Sequence, residues 1–164
     1  MAAVTIYTDG ACTGNPGPGG YGTYMIFGGH KKDLSGGYRR TTNNRMELMA
    51  VIEGLKALKE RCEVTLYSDS KYVVDAINLG WAKRWKSRGW KRGKNEKALN
   101  PDLWDELLTQ LSRHDIETKW VRGHAGNEGN ERADRLAVAA AHGEDLAIDT
   151  GYEGGALASG NRML

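Results

Sequence analysis

Two aspartates in this chain close short runs of nearly the same pattern. Val4-Thr5-Ile6-Tyr7-Thr8-Asp9 and Val64-Thr65-Leu66-Tyr67-Ser68-Asp69 are β-branched and aromatic, as strands are, and each ends in a carboxylate. If the two strands lie parallel and adjacent, both acids sit at one carboxyl edge of a sheet, with strands about 5 Å apart. Carboxylates that close repel, and one would hold a proton unless a cation sat between them. A hard divalent ion such as Mg²⁺ removes that penalty and prefers carboxylate oxygens. The plainer alternative is that each Asp simply ends its strand as a turn residue. The repeated pattern favours the metal reading.

Other groups are open to two readings on local sequence alone. Glu47 follows Asn44 by three residues, so it reads either as a capping-box acid or as a further metal ligand. Asp134 falls near the start of the last helix, where the helix dipole favours a carboxylate whatever its task. His124, in Gly123-His124-Ala125-Gly126, suits a mobile proton carrier better than a core histidine. Gly17-Pro18-Gly19-Gly20-Tyr21-Gly22 matches a dinucleotide-binding pattern but is rejected, because that pattern must open a helix and here a strand-like run follows.

Positioning these groups requires an α/β arrangement. Strand-like runs are expected near Tyr21–Phe27, Lys31–Arg39 and Ile116–Val121, beside the two that end in Asp. Leu48, Val51, Ile52, Leu55 and Leu58 keep the spacing of one buried helix face, and that helix would be the crossover making the Asp9 and Asp69 strands parallel. A helix is expected over Lys71–Leu79 and another after Asn100-Pro101. The last helix carries Ala133, Leu136, Ala137, Ala140 and Ala141 on a stripe small enough to pack close to a sheet. The expected fold is a five-stranded mixed β-sheet flanked by α-helices. It forms one domain over residues 1–142, and the Gly-rich tail, 143–164, is expected to fray.

Charge is unevenly placed. Residues 81–97 hold eight Lys and Arg against Glu96 alone, a net +7, so with a chain total of +2 the remainder carries −5. A basic patch on an acidic body suits a polyanion. Trp81, Trp85 and Trp90 interleave with it, as faces for a nucleic acid, as anchors holding a small helix to the body, or as both at once. Cys12 and Cys62 form no metal or disulfide pattern, and no apolar run suggests a signal peptide or membrane span. A soluble cytoplasmic protein with no membrane partner is expected.

Taken together, several segments resemble bacterial ribonuclease HI, the type 1 ribonuclease H family. They are Thr8-Asp9-Gly10, the run from Gly14 to Gly22, Thr41-Thr42-Asn43-Asn44-Arg45-Met46-Glu47-Leu48, Ser68-Asp69-Ser70, Trp85-Lys86-Ser87-Arg88-Gly89-Trp90, Gly123-His124-Ala125-Gly126 and Asn130-Glu131-Arg132-Ala133-Asp134. The resemblance implies a monomeric endonuclease that cuts the RNA strand of RNA–DNA hybrids, leaving 5′-phosphate and 3′-hydroxyl ends. It implies two Mg²⁺ ions, with Mn²⁺ a possible substitute, held by Asp9, Glu47, Asp69 and Asp134, and His124 assisting proton transfer or product release.

By the same resemblance, Cys12, Asn15, Asn43 and Asn44 would line the hybrid's minor groove. Arg40, Thr42 and Asn100 would grip a DNA-strand phosphate, and Trp81 and Trp85 would border the channel for that strand. Lys86, Arg88 and Lys91 would belong to a basic protrusion, the family's handle. Lys71 departs from a glutamine common at its position, Asn127-Glu128-Gly129 differs from the usual pattern, and the tail after Tyr152 has no counterpart. The rivals are a resolvase or integrase on the same fold and a hybrid-binding module without catalysis.

Overall fold

The computed structural model describes residues 1–123 and 125–154. Strands β1 (Ala2–Cys12), β2 (Gly17–Phe27) and β3 (His30–Thr41) form an antiparallel meander, and α1 (Asn43–Lys56) crosses to β4 (Cys62–Ser68). Helices α2 (Lys71–Asn78), α3 (Trp81–Ser87) and α4 (Pro101–Ser112) precede β5 (Asp115–Trp120), and α5 (Glu128–Ala141) follows it. The strand order is β3-β2-β1-β4-β5. The expected five-stranded mixed sheet is therefore present. The two look-alike strands are parallel neighbours, with Tyr7 opposite Tyr67 and Thr8 opposite Ser68.

Alternation along β1 and β4 explains which face α1 covers. Val4, Ile6, Val64 and Leu66 are buried against Leu48, Val51, Ile52 and Leu55 of α1, and Trp104 and Leu107 of α4 join the same core. Asn100 adopts a left-handed backbone, and Pro101 then opens α4 at the position where a missing N–H costs nothing.

The opposite face belongs to α5, whose alanines let it approach closely. A Cβ on Gly20 would lie 2.5 Å from the Ala137 carbonyl oxygen, and one on Gly22 or Gly37 would overlap the carbonyls of Ala133 and Ala140. Glycine on the strands and alanine on the helix thus serve the same contact.

Two local features bear on the readings of Glu47 and of the C-terminal segment. The Asn44-based capping box is absent, because α1 starts earlier and Thr42 is its N-cap, accepting from the Arg45 N–H at 3.2 Å. Over residues 144–154 the chain beyond Gly143 is docked on the sheet. Ala147 pairs with β3 through the Arg39 N–H and the Gly37 carbonyl, both at 2.9 Å. The Asp149 carboxylate, 2% exposed, accepts from Thr41 Oγ1 at 2.6 Å and from Arg45 Nε at 2.8 Å. Polar bonds hold this segment where apolar side chains are few. The rest of the expected tail, 155–164, lies outside the described residues.

Within the basic stretch, α3 is pinned by Trp85, which is buried with its ring 5.8 Å from Trp104 and 6.2 Å from Tyr72. Residues 91–97 are all exposed. Among the described residues, no helix is long and apolar enough to cross a membrane.

Candidate active site

The carboxyl ends of β1 and β4 hold Asp9 and Asp69, as the parallel register requires. Gly10 lets the start of α1 sit directly on β1: a Cβ there would lie 2.5 Å from the Glu47 amide nitrogen. That approach brings Glu47 to Asp9. Oxygens of Asp9, Glu47 and Asp69 lie within 4.8 Å of one another. Asp134, from the first half of α5, lines the same pocket with Asn43 and Ser70 but stands outside that inner group.

Three neighbours fix Asp69. Trp120 Nε1 donates to its main-chain carbonyl at 3.1 Å. The buried Asn130 side chain faces its carboxylate and favours the charged form. Gly123 packs so closely that a Cβ would lie 2.9 Å from Asp69 Oδ2.

Crowding these acids together has an electrostatic cost. Burial, then the Asp69 charge, pushes the Asp9 carboxyl up to about 8. Burial pushes Glu47 well above the carboxylate range, and the charges of Asp9 and Asp69 add to it. Asp69 is raised as well, chiefly by burial. Glu47 Oε2 is buried with no hydrogen-bond partner among the described residues. A divalent cation would relieve each of these costs, because hard oxygen donors converging on one point are what Mg²⁺ prefers.

The family model described as RNase H matches residues 1–142. The chain belongs to the ribonuclease H family. It is 66% identical to the ribonuclease H of Syntrophus aciditrophicus (strain SB) over 149 residues, covering 91% of this chain and 86% of that protein. It is 54% identical to the ribonuclease HI of a Synechocystis strain over 92% of this chain and 94% of that one. Among solved structures it is similar to LC9-RNase H1, a type 1 RNase H, with a TM-score of 0.79, 38% identity and coverage of 95% and 81%.

The remaining positions singled out in this ribonuclease H sequence fall into groups. Cys12 Sγ lies 3.0 Å from the Gly14 carbonyl oxygen and 3.4 Å from that of Thr41. Asn15 Oδ1 accepts from the Asn43 N–H at 3.0 Å, joining the β1–β2 turn to α1. Asn43 and Asn44 are exposed at the start of that helix, and Asn43 lines the pocket of the acids. Thr42 caps α1, Asn100 Oδ1 accepts from Arg45 Nη1 at 3.2 Å, and Arg40 is exposed.

Lys86, Arg88 and Lys91 are exposed, with Lys86 Nζ 2.7 Å from Asp105. Trp81 is half-buried and Trp85 is core, so the anchoring reading holds for Trp85. His124 lies outside the described residues. Residue-by-residue reading overlooked Arg45 and Asp149, which the structure joins in a buried ion pair. The only signal was Arg45's place inside the Thr41–Leu48 motif.

Proposed function

We propose that this ribonuclease H family member hydrolyses the RNA strand of RNA–DNA hybrids with two divalent ions, preferably Mg²⁺ with Mn²⁺ able to substitute, leaving 5′-phosphate and 3′-hydroxyl ends. The observation that carries this is the convergence of Asp9, Glu47 and Asp69 oxygens within 4.8 Å, with Glu47 Oε2 buried and unpartnered among the described residues. Asp9, Glu47, Asp69 and Asp134 would hold the ions. When bound, the ions would activate the attacking water and stabilise the leaving oxyanion.

The chain's own groups do the rest. Asn15, Asn43, Asn44 and Cys12 cluster where β1 and α1 meet and are assigned to the minor groove, where a 2′-hydroxyl marks the RNA strand. Arg40, Thr42 and Asn100 are assigned to a DNA-strand phosphate, and Trp81 with the basic stretch to that strand's path. His124 is assigned proton transfer or product release. Cleavage is read as independent of RNA sequence, since no assigned contact reads a base edge.

The catalytic domain is placed at residues 1–142, working as a monomer. A cytoplasmic site suits the two free cysteines.

The test is Mg²⁺-dependent cleavage of a labelled hybrid beside an all-RNA and an all-DNA duplex. Cleavage of the hybrid's RNA alone is expected. Cleavage of duplex DNA would favour a resolvase-like enzyme, and binding without cleavage would overturn the catalytic reading.

A further inference from the structure

Arg45 is buried, and its five N–H donors all find acceptors. Nε donates to Asp149 Oδ2 at 2.8 Å and Nη2 to Asp149 Oδ1 at 3.0 Å. Nη2 and Nη1 donate to the two Asp102 oxygens at 2.7 and 2.9 Å, and Nη1 also to Asn100 Oδ1 at 3.2 Å. A guanidinium has five such donors and no acceptor, so this one has nothing left to offer a ligand. Its backbone N–H is also used, donating to Thr42 Oγ1 at 3.2 Å.

The two partners outside the carboxylates are the ones whose polarity is otherwise free. A threonine hydroxyl and an asparagine amide can each donate or accept, whereas a phosphate oxygen only accepts. Arg45 occupies one acceptor site on each group, on Thr42 through its main-chain N–H and on Asn100 through Nη1, and so turns the Thr42 hydroxyl hydrogen and the Asn100 Nδ2 hydrogens outward, with no acceptor among the described residues. Asn100 cannot be flipped without setting its NH₂ against the guanidinium.

We infer that Arg45 is a positioning residue that sets the donor polarity of the phosphate pocket at Thr42 and Asn100, and that Asp149 of the C-terminal segment locks it in place. The inference rests on the assignment of Thr42 and Asn100 to a DNA-strand phosphate.

Three observations support the lock. Asp149 is 2% exposed and bonds Arg45 through both carboxylate oxygens. Thr41, adjacent to the cap residue, donates to the same carboxylate at 2.6 Å. A Cβ on Gly151 would overlap both the Asp102 carboxylate and the Arg45 guanidinium, so the segment's backbone closes directly over the pair. Residues 144–154 thereby act on substrate binding from behind the pocket without touching the substrate.

The test uses hybrids carrying one uncharged methylphosphonate, walked along the DNA strand, with wild type and Asp149→Asn at temperatures where both are folded by circular dichroism. In wild type, one position should raise KM about tenfold, the scale of one charge-assisted hydrogen-bonded contact. In Asp149→Asn, KM for the unmodified hybrid should rise, kcat should change far less, and the methylphosphonate penalty at that position should shrink to about a third or less. Asp102→Asn, at a half-exposed acid, is the second variant should Asp149→Asn not fold, and the same loss is expected of it.

A full wild-type penalty retained in the folded variants overturns the lock. No sensitive position in wild type overturns the phosphate pocket itself, and the inference with it.

Discussion

The Trp120 indole donates to the main-chain carbonyl of Asp69 at 3.1 Å, tying the sheet's edge strand to the turn that carries a proposed metal ligand. The ring is 50% exposed, so the contact is not explained by apolar burial. Trp120→Phe keeps an aromatic ring and removes the bond. It should raise the Mg²⁺ concentration for half-maximal cleavage by up to about tenfold, as expected of a group that orients a ligand from behind, with little change in rate at saturating metal. A Mg²⁺ titration of initial rates checks this, and an unchanged midpoint would make the bond structurally incidental.

Asp9→Asn should abolish cleavage while hybrid binding persists, because it keeps the shape and removes a ligand charge. It should also stabilise the metal-free protein at neutral pH. The Asp9 carboxyl titrates at about 8 when folded, against an ordinary value of 3.8. Between those values the native chain holds a proton that the unfolded chain has lost, so Asp9 makes stability fall as pH rises. Denaturant melts without metal, from pH 5 to 8, should show that fall flattened in the variant. Near wild-type turnover of Asp9→Asn at saturating Mg²⁺ would refute the metal assignment.

Asp149 should behave in the opposite sense. Burial alone would raise its carboxyl, but hydrogen bonds from Arg45 and Thr41, with the Arg45 charge, hold it below the usual range. Its contribution is present above about pH 4 and is lost as pH falls through the lower folded value. Asp149→Asn should therefore cost about 3 kcal/mol near neutrality, as breaking a buried pair does, and much less at pH 2. Urea melts at both pH values measure the difference.

Replacing Lys86, Arg88, Lys91 and Arg92 together by alanine should raise KM for the hybrid far more than it lowers kcat, since groups remote from the reacting centre give uniform binding. The log–log salt slope should flatten by up to about 0.9 for each phosphate that the variant no longer neutralises. The Lys86–Asp105 pair is exposed on both sides and adds little to stability, so melting should hardly move. A variant with unchanged KM and salt slope but lower kcat would move this stretch into the catalytic centre.

The sheet order and the meeting of Asp9 with Asp69 were legible because both follow from a period-two pattern repeated in β1 and β4. Glu47 was ambiguous because a helix start and a metal site use the same carboxylate, and only the position of Thr42 separates them. The docking of residues 144–154 was not legible. Gly-rich composition reports the lack of apolar side chains, but the segment is held by Asp149 and Arg45, 104 residues apart. Trp85 shows the same limit, since a tryptophan among lysines reads alike whether its ring faces a ligand or Trp104.

The bare strip formed by Gly20, Gly22 and Gly37 acts as a spacer of zero thickness between sheet and helix. The carbonyl of Ala133 rests on it, and the next residue is Asp134, so the height of that carboxylate over the strand edge is set by atoms that are missing. A single methyl added at Gly22 would lift the near end of α5 and carry Asp134 away from Asp9, detuning the site from the reverse side of the sheet with every acid still in the chain.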